Sequence, residues 1–243
     1  MLRRLFGISL LGCVVLFLGC GGGGGATSGQ AGSKAAEEGV KRIAADKLPP
    51  LGDYLPAQDG GRIEIAPPQK WHILGRINKV LAAFSTAQGS QLPLISVTAS
   101  ENAYPEFETV TGDNVEAFAE AVYASLESKF GESFEKNIPE DPLPMQLGPH
   151  YFARYVQKKA SKSSGTSADV QVLTTVQDGR MYNVELRAVA GTIKEDRDRA
   201  YAVAAGLKFN KPAGEEATKP AEEPKKEEAA EAKTEKAEPA EKK

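Results

Sequence analysis

The side chains of this 243-residue chain that could do chemistry are few and widely separated. Its two cysteines, Cys13 and Cys20, fall inside the first twenty residues, and its two histidines, His72 and His150, lie far apart. A His-x-x-x-His or His-x-His spacing would put two imidazoles on one side of a helix or strand for a metal. Neither spacing occurs, and an ordinary strand or loop position accounts for each histidine. Glu106 with Glu108, and Glu195 with Asp196, are hard-oxygen pairs of the kind Ca²⁺ accepts. The first sits in a predicted loop, and the second opens a predicted helix, where carboxylates favour the positive end of the dipole. Ser125 to Lys129 and Ser161 to Ser164 contain no Gly-x-Ser-x-Gly elbow and no Ser-x-x-Lys set in a fitting context. A Gly-x-x-x-x-Gly-Lys phosphate loop is also absent. The chain is therefore read as non-enzymatic, with no metal site and no cofactor.

Cys20 is informative for another reason: it ends a basic start (Arg3, Arg4), an apolar run from Leu5 to Leu18, and the small residue Gly19. The run is shorter than the about 20 residues a spanning helix needs, and five glycines from Gly21 follow it, so it reads as an export signal. Phe17-Leu18-Gly19-Cys20 resembles a lipobox, the motif of bacterial lipoproteins, although Phe17 stands where that motif prefers Leu. Leu10-Leu11-Gly12-Cys13 is a better local match but leaves a very short apolar run, so Cys20 is taken as the lipidation site. The resemblance implies a diacylglyceryl-modified N-terminus, and two acyl chains supply the two signals that stable anchoring requires. A retained short anchor and an ordinary secretory signal are the alternatives. Gly21, where Asp would mark inner-membrane retention, favours an outer membrane facing the periplasm if the cell has one.

Composition divides the remainder. Residues 1–19 are the signal, and 20–61 carry Cys20 and a Gly/Ser/Ala/Gln-rich flexible tether in which Ala35 to Leu48 is a candidate short helix. Residues 211–243 are Ala, Glu, Lys and Pro with no aromatic or branched apolar side chain, a composition that cannot offset ordering entropy and is expected to be disordered. Between them, 62–210 has the length of a single α/β domain. A net charge of −3 gives no reason to bind polyanions, so nucleic acid is not an expected partner.

Within the domain, Arg62 to Ala66 alternates as a half-buried strand, and Trp71 to Arg76, Val80 to Ala87 and Leu92 to Ser100 read as further extended segments. An amphipathic helix follows, with Asp113 as N-cap, Glu116 three residues on, and Val115, Phe118, Ala119, Val122, Leu126 and Phe130 on one stripe before Gly131. Ile138 to Pro149 reads as a proline-rich connection. Three strands come next, His150 to Lys159, Val170 to Val176 and Met181 to Ala190, the last two joined at Asp178-Gly179, the strongest hairpin signal in the chain. Lys194 to Ala205 closes as a helix with Gly206 as its C′ residue.

This order, with Pro68-Gln69-Lys70-Trp71 early and helix-Gly206-Leu207-Lys208-Phe209 at the end, resembles the PsbP-like α/β/α sandwich family, DcrB-like lipoproteins included. Lys70 departs from the glycine often found before that tryptophan. The resemblance implies an α+β fold, an antiparallel β-sheet flanked by helices, used as a binding or assembly module. Two groups of residues are candidate contact surfaces. Arg154, Lys158, Lys159 and Lys162 could face anionic lipid or cell-wall phosphate, and Trp71, Tyr151 and Tyr155 could line a groove, unless they are core. The expected function is a lipid-anchored extracytoplasmic, non-enzymatic binding or assembly module of the bacterial cell envelope. Its expected partners are the membrane and an envelope protein or cell-wall component. An envelope enzyme or small-ligand carrier, and a purely structural spacer, are the alternatives.

Overall fold

A computed structural model describes residues 39–75, 77–88, 92–160 and 167–211. In chain order the elements are β1 (Lys41–Ile43), β2 (Ile63–Glu64), β3 (His72–Ile73), β4 (Ala82–Ser85), β5 (Leu94–Glu101), α1 (Val115–Phe130), the short α2 (Phe134–Asn137), β6 (Glu140–Leu147), β7 (His150–Ala160), β8 (Ser167–Gln177), β9 (Arg180–Val189), α3 (Ile193–Ala205) and β10 (Lys208–Phe209). One sheet runs β1-β6-β7-β8-β9-β5-β4-β3, and β10 pairs with β2 in a separate ribbon. Every pairing is antiparallel except β1 with β6.

Strand alternation decides what each helix covers. Along β7, Ala153 joins α1 in one apolar cluster, with Tyr151 and Tyr155 packed against it, while Phe152 and Val156 join α3 in the other. The helices therefore lie on opposite faces of the sheet, which is the α/β/α sandwich that the sequence resemblance implies. The expected stripe of α1 is the buried one, Val115, Phe118, Ala119, Val122 and Leu126, and Phe118 meets Tyr104 and Phe107 edge-on at 5.4 and 5.2 Å. The helix stops at Gly131, whose φ is 51°. The Asp178-Gly179 turn has positive φ at both central residues, 49° and 68°, as a two-residue hairpin linking twisted strands requires.

Four local expectations are corrected. Residues 39–61 are part of the fold: Lys41–Ile43 is a strand on β6, and Ala45–Lys47 is a single 3₁₀ turn, so neither a helix nor a free tether occupies this stretch. Leu51 bridges Pro68, and the Leu55 N–H donates to the Ile65 carbonyl at 2.9 Å. The proline-rich connection contains β6; Pro142 and Pro144 are tolerated because β1 pairs only with Met145 to Leu147, leaving the proline half without a strand partner on that edge among the described residues. Asn114, not Asp113, is the residue before α1, and its Oδ1 accepts from the Thr111 N–H at 2.7 Å instead of closing a capping box. Gly206 has φ −90°, so it is not a left-handed C′ residue; a Cβ there would push the Leu51 side chain aside and lie 3.2 Å from the Ala202 carbonyl oxygen.

Candidate functional site

The segment 56–62, of which 56–61 was read from sequence as the end of a tether, folds across the sheet on the α3 side and carries Asp59 to the start of β9. Asp59, Gly60 and Gly61 all have positive φ, at 50°, 68° and 91°. The Asn210 side chain donates to the Gly61 carbonyl at 3.1 Å and the Asn210 N–H to the Arg62 carbonyl at 2.8 Å, fixing the turn to the strand that ends the domain. Arg180, the first residue of β9 after the Asp178-Gly179 turn, meets Asp59 in a two-pronged contact: Nε donates to Oδ2 at 3.0 Å and Nη2 to Oδ1 at 2.8 Å. The Tyr182 hydroxyl donates to Oδ2 at 3.0 Å, and its ring packs 5.2 Å from Phe209.

Beside this network lies an open cleft of about 620 Å³. The Asp59–Arg180 pair and Gln58 form one side, Ala99 of β5 the floor, and the turn from Ile77 to Leu81 the other side. That turn is closed by the Val80 N–H on the Ile77 carbonyl at 3.1 Å, and Leu81 rejoins the sheet through the Val97 carbonyl at 2.8 Å. Lys79 sits within it at φ 65°. A non-glycine residue in this left-handed region carries a cost on the order of 1 kcal/mol, and two of the four such residues among the described ones, Asp59 and Lys79, line the cleft. Ile77 is 42% exposed, and the Lys79 ammonium has no ion pair among the described residues.

Electrostatics hold the network in one protonation state. The Arg180 hydrogen bonds place the Asp59 carboxyl below the usual carboxylate range, burial opposes this, and the Tyr182 hydroxyl reinforces it. The same bonds push the Arg180 guanidinium up, and burial, followed by its bond to Asp59, pushes the Tyr182 phenol up.

The residues singled out from sequence do not form one surface. Trp71 packs against the α3-side core with the Arg199 guanidinium 5.9 Å from its ring centroid, whereas Tyr151 and Tyr155 pack on the α1 side. Burial pushes the Tyr155 phenol well up. Arg154 is turned inward, its side chain 8% exposed, bound to Glu140, which also accepts from Arg197 of α3 at 2.6 Å. Only Lys158 is exposed among the described members of the basic group; Lys159 is half-buried and reaches Glu185 at 4.0 Å. Lys162 and Cys20 lie outside the described residues.

His72 is exposed on β3, while the His150 Nε2–H donates to the Leu207 carbonyl at 2.7 Å with Phe209 edge-on at 5.1 Å. Burial holds the His150 imidazole below its usual range, and the bond to Leu207 opposes it. Glu106 and Glu108 are exposed loop residues, and Glu195 and Asp196 occupy the first turn of α3. No group of three or more metal-ligating side chains occurs among the described residues. Nor is any described helix long and apolar enough to cross a membrane.

Asp59, Lys79 and Arg180 were not among the candidates read from sequence. Asp59-Gly60-Gly61 carried a usable signal, because a Gly-Gly pair after Asp marks a left-handed turn as readily as a flexible linker.

No protein-family model matches the sequence, and no curated protein matches it. Among solved structures, the chain is similar to a protein from Bacteroides thetaiotaomicron, with a TM-score of 0.42 and 11% identity over 66% of this chain and 49% of that one. It thus spans about half the length of that protein. It is similar to the cyanobacterial PsbP of Synechocystis, with a TM-score of 0.38 and 13% identity over 65% of this chain and 92% of that one. A third similar structure is LpqN of Mycobacterium tuberculosis, described as involved in cell envelope biogenesis, with a TM-score of 0.38 and 12% identity over 65% of this chain and 91% of that one.

Proposed function

We propose that this chain is a lipid-anchored, extracytoplasmic binding module of the bacterial cell envelope, without enzymatic activity. Cys20 carries the diacylglyceryl anchor, and the cleft beside Asp59 and Arg180 is the surface offered to an envelope partner. The observation that supports binding over catalysis is the state of the network at the cleft. A general acid or base works best when its pKa lies near the operating pH. Asp59 is shifted down while Arg180 and Tyr182 are shifted up, all away from neutrality. Groups arranged in this way keep fixed charges and fixed hydrogen bonds. They suit recognition, not proton transfer.

Two measurements test the reading. Mass spectrometry of the mature N-terminus should find an acylated Cys20; an uncleaved signal or a free thiol there removes the anchor. A photo-crosslinking residue at Ile77, in whole cells, should capture a discrete envelope component. Equal capture from Glu120, on the solvent side of α1, or capture from neither position, counts against the cleft as the docking surface.

A further inference from the structure

The cleft has a chemistry of its own that narrows what it takes. Its ionisable lining is one carboxylate, Asp59, and two cations, Lys79 and Arg180. The carboxylate is already held at both oxygens by Arg180 and by Tyr182. Of the five N–H donors of a guanidinium, two are used on Asp59, so Arg180 keeps donors to spend, and Lys79 keeps its whole charge. Among the described lining residues the surplus is one positive charge, and Arg62 and Glu101, which act on Asp59 and Arg180 from outside the lining, add one charge of each sign. Around Lys79 in the same turn, exposed Ile77 and half-buried Val80 and Leu81, with Ala99 below, supply the apolar part of the lining. The volume, about 620 Å³, lies within the range of small-molecule sites, roughly 300 to 1,000 Å³.

We infer that the cleft binds a carboxylate borne on a short apolar chain, with Lys79 as its counter-ion and the 77–81 turn as its apolar wall. This rests on the binding reading above and specifies its ligand class. A single surplus charge matches a monoanion. A phosphomonoester brings close to two negative charges and would set the second against Asp59, whose low pKa keeps it ionised. A neutral apolar ligand would leave the ammonium without a partner in a site it has covered. Asp59 and Lys79, each in a left-handed conformation, both line the opening. Two sources carry such a group, the C-terminus of a peptide with apolar last residues and a short acyl chain.

The test uses the full chain in nanodiscs, with isoleucine δ1 methyls labelled for NMR. Hexanoate, hexanol and hexylamine are titrated in parallel, as are acetyl-Ala-Leu as free acid and as amide. Hexanoate or the peptide acid, or both, should move the Ile77 methyl saturably, leaving the fully buried Ile63 and Ile95 methyls in place. Hexanol, hexylamine and the peptide amide should not saturate. Lys79→Gln should raise the midpoint at least tenfold, and Lys79→Arg should stay within threefold of the parent. The tighter of the two acids identifies the source. No saturable shift with either acid, equal midpoints for hexanoate and hexanol, or an unchanged midpoint in Lys79→Gln each overturns the assignment. A partner crosslinked at Ile77 without any carboxylate response would remove the carboxylate and leave the binding module. The converse pair of results would keep the ligand and remove the docked envelope partner.

Discussion

Two ion networks of similar composition occupy the α3 side of this domain, and they have different uses. In the first, Glu140 of β6 accepts from Arg154 of β7 and Arg197 of α3, whose side chains are 8% and 18% exposed. In the second, Asp59 accepts from Arg180, which is 33% exposed, and from Tyr182. Both carboxyls lie below their ordinary range. For Glu140, burial pushes upward, and the bonds and charges of Arg154 and Arg197 outweigh it. The first network has both cations committed to one carboxylate between helix and sheet, so it acts as a clamp holding α3 down. The second leaves guanidinium donors unspent beside an open cleft that Lys79 also lines. The difference between the clamp and the proposed binding site is therefore in unspent donors and access, not in residue type.

Removing each carboxylate is the strongest way to break this contrast. Glu140→Ala leaves two covered guanidiniums without their partner and should cost about 3 kcal/mol in urea unfolding, near the low end for a broken buried pair because Glu140 is itself 30% exposed. A loss below about 1 kcal/mol would mean that the clamp contributes little. Asp59→Ala should cost less, about 1 to 2 kcal/mol, because Arg180 can turn to water. Its larger effect should be local, with faster amide exchange at Leu55 and Gln58, whose N–H groups tie the 56–62 segment to the core.

Acid unfolding sharpens the comparison. Because both folded-state carboxyls are depressed, the unfolded chain takes up protons first as the pH drops. Each contribution to stability is complete above the unfolded values, about 3.9 for Asp and 4.3 for Glu, and is lost as pH falls through the folded ones. Urea midpoints should thus decline from pH 5 to pH 2.5 in the parent. Glu140→Gln and Asp59→Asn should each flatten that decline, and parallel curves for parent and both variants would show that neither network senses acid. The smallest stability effect is expected at Lys79→Gln, within about 0.5 kcal/mol, since the exposed ammonium has no ion pair among the described residues. A larger loss would make Lys79 part of the scaffold.

What the sequence made legible was local. The α1 stripe, the Gly131 stop, the Asp178-Gly179 hairpin and α3 depend on residues within one or two turns of each other, and all appear where the periodicity puts them. β1 and β6 were missed because their evidence is non-local: Lys41–Ile43 is a strand only because Met145 to Leu147 offers it an edge, and two prolines disguise β6. The site was missed for the same reason. Asp59 and Arg180 are 121 positions apart, and only the folded sheet makes them a pair. Arg154 shows the opposite limit, since alternation along β7 tells that it shares a face with Phe152 and Val156 but not that α3 brings Arg197 and β6 brings Glu140 to neutralise it there.

The docking of β1 on β6 also sets how far the domain can travel. With Cys20 as the anchor, a tether ending at Gly61 would have allowed about 140 Å of covalent reach, at 3.3 to 3.6 Å per residue. Because the fold takes hold of the chain at Lys41, only 20 residues, Gly21 to Val40, would lie between the proposed anchor and the domain, a limit of about 70 Å. The space the cleft can search shrinks accordingly, and a partner held at the same membrane is met at a several-fold higher effective concentration. On the proposed anchoring at Cys20, three residues of edge strand would thus keep the module within short range of the membrane surface.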